Sequence, residues 1–291
     1  MCIRDRDNNL IDRAAIDVFE HEPPTDSPLI SHDKIIVTPH LGASTVEAQE
    51  KVAVSVSEEI IDILTNGTVE HAVNAPKMDL SNVDEAVKSF VDLGTTIGEF
   101  AIQLLQGAPS EIKITFAGDL ATNDTSLITR TIVTNILKED LGEEVNIINA
   151  LALLNQQGVT YNIEKQKKHS DFSSYVELEL TNDKDQIKIG ATVLAGFGPR
   201  IVRINDFSLD FKPNEYQIVT CHKDKPGIVG QTGNLLGSHG INIASMTLGR
   251  NNEGGDALMI LSIDQQASLD VINILRETGG FNRIISTKLT I

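Results

Sequence analysis

The sequence predicts an α+β chain in three successive parts: the end of a parallel α/β layer, an α+β module, and a βαββαβ domain of the ferredoxin-like kind. Three observations predict this. Two short apolar runs, A-A-I-D-V-F at 14–19 and K-I-I-V-T at 34–38, flank the irregular, proline-rich E-H-E-P-P-T-D-S-P. A linker over 70–82 then interrupts the chain, and the apolar pattern restarts after it. From Tyr216 onward the runs follow the order strand, helix, strand, strand, helix, strand.

Each element has a local reason. The two apolar runs are too short to form a domain and suit the edge of a buried parallel sheet. Ser44 starts the next helix, and Ser44 with Glu47 has capping-box spacing, each satisfying a free backbone N–H. Val52, Val56, Ile60 and Leu64 recur at every fourth position, and Asn66-Gly67 closes the helix because Gly67 tolerates the left-handed conformation. About 22 residues span roughly 33 Å, so this helix is expected to cross between domains. In the middle module, helices are expected over 83–106, 126–137 and 149–157. Strands are expected there over 111–117, 160–164, 175–180, 186–194 and 200–205, with closure near Phe211. The last part reads as strand 216–221, helix 226–239, strand 241–248, the turn N-N-E-G-G, strand 257–263, helix 268–278 and strand 283–291. The expected domains are therefore 1–76, 77–212 and 213–291. Residues 1–6, M-C-I-R-D-R, have no periodicity, read as a translated adapter scar, and are set aside.

Composition narrows the function classes. A formal net charge of −17 and the absence of Trp argue against a nucleic-acid partner, which needs clustered Lys and Arg and stacking aromatics. No apolar stretch approaches the length of a membrane span, and no signal peptide is expected. Cys2 and Cys221 stand far apart without a paired CxxC or His spacing, so no metal site and no disulfide framework are expected. That pattern fits a reducing cytoplasm.

The glycine-rich stretches do not make a phosphate loop. G-F-G-P-R-I at 196–201 has Ile201 at the third glycine position, and G-Q-T-G-N-L-L-G lies within a helix at the wrong spacing. Glu22 and His40 both follow strand ends, where α/β sheets place ligands, and a carboxylate beside an imidazole raises its pKa and fixes its tautomer. A histidine after a proline is also an ordinary surface residue, and the residues alone leave both readings open. In H-K-D-K-P-G-I-V-G, Asp224 precedes a helix start whose free N–H groups attract a carboxylate. With His222 and Asn242 it could read an amino acid, or it could simply cap the helix. Lys188, Arg200 and Arg203 form either an anion site or solvated strand charges, the second being the more ordinary arrangement.

A-A-I-D-V-F-E-H-E-P followed by I-I-V-T-P-H-L-G-A-S-T-V-E-A resembles the C-terminal end of D-2-hydroxyacid dehydrogenases, and most closely the phosphoglycerate dehydrogenases. The resemblance implies that Glu22 and His40 are the paired catalytic residues, with His40 the acid–base for the substrate hydroxyl. It implies that Asp17 lies against the nicotinamide end of NAD and that Leu41, Gly42 and Ala43 line the cofactor. The end of a Rossmann-type domain, with V-N-A-P at 73–76 as the exit, follows from the same likeness. The family's third catalytic residue, an arginine, and its glycine loop have no match here; Arg4 and Arg6 lie in unlike surroundings. The chain alone is therefore expected to be inactive. Residues 77–212, through V-N-I-I-N-A and G-P-R-I-V-R-I-N, resemble the allosteric substrate-binding domain of long-form members. Residues 214–291, through D-K-P-G-I-V-G and I-N-I-A, resemble an ACT regulatory domain. The likeness implies 3-phosphoglycerate as substrate and L-serine as effector, bound by His222, Asp224 and Asn242 across a homo-oligomer of ACT domains. Two further readings remain: a non-catalytic amino-acid sensor, and another NAD-dependent D-2-hydroxyacid dehydrogenase with the same tail.

Overall fold

The computed structural model describes residues 12–66, 68–69, 71–73, 78–79, 85–278 and 280–290. The 1–6 stretch, Gly67, the end of V-N-A-P, Gly279 and Ile291 lie outside the described residues. The chain divides into two compact units, Met1–His71 and Ala72–Ile291.

In the first unit β1 (Ala14–Ile16) and β2 (Ile35–Val37) pair in parallel, Ala14 opposite Ile35 and Ile16 opposite Val37. Thr38 N–H donates to Ile16 O, carrying the ladder to the residue before Pro39. Helix α1 (Val46–Asn66) follows. Its cap differs from the expected capping box. Thr45 Oγ1 accepts Ala48 N–H at 3.2 Å, whereas Ser44 donates to Leu41 O through both its N–H and its Oγ. Ser44 is thus held in the turn after His40, capping passes to the next hydroxyl, and Glu47 sits one position short of N3. The stripe Val52, Val56, Ile60 and Leu64 is exposed among the described residues.

The second unit opens with helix α2 (Glu85–Leu104), strand β3 (Glu111–Gly118), and helices α3 (Ser126–Leu141) and α4 (Ala150–Gln156). Strands β4 (Thr160–Gln166), β5 (Ser174–Thr181), β6 (Gln186–Leu194), β7 (Gly198–Ile204) and β8 (Phe207–Phe211) follow. They form one sheet in the order β8-β7-β6-β5-β3-β4, in which only β3 and β4 run parallel. The strand β8 goes beyond the sequence reading. It returns on β7 through a tight turn at Asn205, whose φ of 49° is a left-handed value that Asn tolerates. Helices α2 and α3 pack together and on one sheet face, burying Leu93, Ile97, Phe100, Ile128 and Ile132 with Ile114, Phe116 and Leu178. Their approach is close at Gly98, where a Cβ would stand 2.8 Å from Ile132 O.

The last part holds β9 (Tyr216–Lys223), α5 (Ile228–Ser238), β10 (Ile243–Arg250), β11 (Asp256–Ile263), α6 (Leu269–Glu277) and β12 (Phe281–Lys288). The expected βαββαβ order holds, in an antiparallel sheet ordered β10-β11-β9-β12. One face packs Ile218, Met259, Leu261 and Ile284 against Leu236, Ile272 and Leu275 of the two helices. On the other face Val219, Leu258 and Ile260 join the cluster of Phe100, Phe116 and Phe211. The 212/213 boundary therefore falls inside one compact unit, at a shared core.

Gly98→Val is expected to destabilise the second unit by about 1–3 kcal/mol, because backbone on the facing helix must give way. A lowered urea midpoint checks this; an unchanged midpoint would show that the helices are not locked at Gly98.

Candidate functional site

The segment after β2 is organised by a carboxylate at the end of β1. Asp17 Oδ1 accepts Leu41 N–H at 2.7 Å and the Thr38 hydroxyl, while Oδ2 accepts Gly42 N–H at 2.7 Å. The Thr38 hydroxyl first, then the Leu41 and Gly42 amides, hold this carboxyl below the usual range. So clamped, the chain takes left-handed values at two residues that are not glycine, φ 57° at His40 and 56° at Ala43. Such values are uncommon for side-chain-bearing residues and persist where surroundings over-determine them.

The turn presents His40 to Glu22. His40 Nδ1 lies 2.7 Å from Glu22 Oε2, and Glu22 Oε1 accepts Phe19 N–H at 2.9 Å. Glu22 is held below its ordinary value, first by the hydrogen bond from His40 and then by the Phe19 amide. The same hydrogen bond raises His40, with the Glu22 and Asp17 charges adding to it. With Nδ1 engaged, Nε2 is the ring nitrogen available for proton exchange. His40 is exposed, and exposed apolar Leu41 and Val18 stand in the same unit. The described residues bring Asp17, Glu22, His40, Leu41, Gly42 and Ala43 together.

The three residues expected to read an amino acid do not converge within one chain. His222 pairs with Ala257 on β11, while Ile243 pairs with Ile263, so Asn242 lies at the opposite end of the sheet. At about 3.3 Å per residue the separation is roughly 20 Å. His222 is buried at 2 % exposure with its ring edge-on to Phe281, and burial pushes its pKa down. Asp224 does not cap α5: it bonds Arg250 Nη1 at 2.7 Å, and Gly227 stands at the cap position without a side-chain bond. Nothing local in the sequence points to Arg250, because its partner lies 26 residues away, just past the end of β9. Asn242 donates to Asp264 Oδ2 at 2.7 Å. The middle-module cations pair with carboxylates, Lys188 with Glu179 at 3.1 Å and Arg200 with Asp210 at 2.6 Å. Among the described residues no group of three His, Cys, Asp or Glu side chains is placed to hold a metal ion, and no helix is long and apolar enough to cross a membrane.

Comparison with known proteins places three family matches along the chain. Residues 3–42 match the NAD binding domain of D-isomer specific 2-hydroxyacid dehydrogenases. Residues 86–205 match the D-3-phosphoglycerate dehydrogenase intervening domain, and residues 216–280 match the ACT domain. The chain is 34% identical over 283 residues to D-3-phosphoglycerate dehydrogenase of Bacillus subtilis, covering 97% of this chain and 53% of that protein. It is 33% identical over 270 residues to the enzyme of that name from Archaeoglobus fulgidus, covering 92% of this chain and 51% of the relative. The Synechocystis enzyme of that name is 35% identical over 278 residues, 95% of this chain and 50% of the relative. The chain thus spans about half the length of the curated relatives it matches.

Because Glu22 raises His40, replacing it with Gln should return the His40 pKa toward about 6.5. The raised His40 contributes stability that is fully present below about 6.5 while Glu22 stays ionised, and that fades as pH rises through the raised value; on the acid side it is lost as Glu22 protonates. Proton NMR titration of His40 in the chain and in Glu22→Gln checks this; equal midpoints would refute the pairing.

Proposed function

We propose that this chain, which carries the intervening and ACT domains of D-3-phosphoglycerate dehydrogenases and the end of a 2-hydroxyacid dehydrogenase NAD-binding domain, works in the NAD-dependent oxidation of 3-phosphoglycerate to 3-phosphohydroxypyruvate. That reaction enters L-serine biosynthesis, and we place it in the cytoplasm. The observation that carries the reading is the 2.7 Å contact between His40 and Glu22.

In the oxidation, neutral His40 accepts the substrate hydroxyl proton at Nε2. Glu22 orients the ring through Nδ1 and stabilises the imidazolium that results. NAD, when bound, supplies the hydride acceptor. Asp17 fixes the backbone of Leu41 and Gly42, and Leu41, Gly42 and Ala43 present the cofactor-facing wall. Acid–base work by His40 sets the pH dependence: oxidation rises as pH climbs through the raised His40 pKa, where the base becomes neutral. The 291 residues alone lack a recognisable glycine-rich loop and do not turn over substrate.

Regulation is assigned to the ACT part, with L-serine read by His222 and Asp224 of one copy and Asn242 of a second. Support comes from the sheet register, which separates these residues in a single chain. The site then requires a homo-oligomer joined through ACT domains.

Two experiments test these assignments. In a protein that turns over 3-phosphoglycerate with this chain as its C-terminal half, His40→Asn should lower kcat by about 10²- to 10⁴-fold. Glu22→Gln should move the rise of oxidation to lower pH. Unchanged rates would remove His40 from the chemistry, whereas no turnover of 3-phosphoglycerate before any substitution would leave an amino-acid sensor as the surviving reading. For the effector, calorimetry should show serine binding to the chain, lost in His222→Ala and in Asn242→Ala. Mixing the two variants should restore part of the binding, since one mixed pair contains an intact site; no restoration would contradict a shared site.

A further inference from the structure

Four aligned strands give the ACT sheet a face of three cross-strand rows toward the intervening domain. One row runs Gly249, Leu258, Cys221, Arg283; the next runs Thr247, Ile260, Val219, Ile285; the third runs Ser245, Ser262, Gln217, Thr287. The middle row supplies the apolar contact, with Val219 and Ile260 in the core shared with Phe100. The third row is polar throughout. Gln217, Ser262 and Thr287 are nonetheless buried, at 0 %, 2 % and 1 % exposure.

Six buried side-chain polar atoms among the described residues lack a hydrogen-bond partner, and four lie on this face. They are both amide atoms of Gln217, the Thr287 hydroxyl and Arg283 Nε; the other two are threonine hydroxyls of α3. Native interiors rarely leave such groups unpaired, because each forfeits its hydration without compensation. Here the cost is concentrated at one interface rather than scattered through two cores.

The contacts around this face are of a kind that water can replace. Gln103 holds the edge of β12 through Lys288, its Oε1 accepting the N–H at 2.9 Å and its Nε2 donating to the C=O at 2.8 Å. Arg283 donates to Leu104 O and to Asp185 Oδ2, the latter at 2.9 Å. Thr290 N–H donates to Glu99 at 2.7 Å. Gly249 lets β8 approach β10, since a Cβ there would lie 2.7 Å from Leu209 Cδ2. Each partner also keeps a core of its own: Ile218, Met259 and Leu261 pack under α5 and α6, and Ile112, Ile114 and Leu178 under α2 and α3.

We propose that the ACT sheet docks reversibly on the intervening domain, and that the buried row Ser262–Gln217–Thr287 keeps this docking weak enough to open without unfolding either partner. On opening, solvent satisfies the Gln217 amide, the Thr287 hydroxyl and Arg283 Nε, offsetting the loss of the apolar middle row. A regulatory domain joined in this way can alter the intervening domain by parting from it. The inference stands on the packing and does not depend on which effector the ACT domain binds.

Cys221 lies in the face, between Leu258 and Arg283, and serves as the probe. Cys221 is itself part-buried in the docked chain, so the change between variants is the deciding reading; in the full chain carrying Cys2→Ser it should react with excess thiol reagent at least about tenfold faster than global unfolding allows. The Gln217→Leu/Thr287→Val pair removes three of the four unpaired atoms and should slow labelling about tenfold or more. Asp185→Asn, which weakens a peripheral contact and leaves the row intact, should speed it. It gives a second reading should the double variant fail to fold. Labelling at the global unfolding rate, or labelling unchanged in Asp185→Asn and in the folded double variant, would overturn the proposal.

Discussion

The Asp17 carboxylate is the interaction on which the candidate site depends. Three donors from a segment more than twenty residues away converge on it, two of them backbone amides. Those bonds hold the turn through Thr38, Leu41 and Gly42, and His40 is carried between them in a left-handed conformation. Without the clamp, an exposed histidine at φ 57° would relax to the common regions of backbone space. Its meeting with Glu22 is therefore a consequence of Asp17, and the raised pKa is a consequence of that meeting. The same turn also decides where α1 begins, because it claims Ser44 and leaves capping to Thr45.

In the second unit the corresponding constraint is an ACT sheet buried on both faces. Its own helices cover one face, and the intervening domain covers the other. Buried strands on both sides usually read as continuous apolar runs. This sheet departs from that at Gln217, Ser262 and Thr287, where polar side chains face the neighbouring domain. The departure separates two kinds of cohesion in one compact unit: apolar packing beneath the helices, and a mixed seam between domains.

Much of the architecture was legible from residues. The 3.6- and 2-residue periods located nearly every helix and strand, and the turn N-N-E-G-G fell where Gly255 N–H closes on Asn252 O. The Glu22–His40 pair was suggested by strand ends, but on the residues alone an ordinary surface histidine was the more common arrangement; the family likeness pointed to the pair, and the structure places the two side chains 2.7 Å apart. The misses share a cause. Thr45 took the cap because the turn that Asp17 clamps from 24 residues away had engaged Ser44, and Arg250 neutralises Asp224 across a sheet. The seam exists only in the register of four strands. Local pattern carries local structure, while pairings across 20 residues or more depend on registers that periodicity does not encode. Strand β8 is different: Asn205-Asp206 between apolar runs is a local turn signal that marks its return on β7.

The central claim is that Asp17 places His40 against Glu22. The most direct measurement is the NMR titration of the His40 imidazole in Asp17→Ala, with Glu22 untouched. Loss of the clamp should release the turn and bring the His40 midpoint down toward the value of a free histidine. A midpoint that stays raised would show that His40 and Glu22 find each other unaided, and would contradict the account.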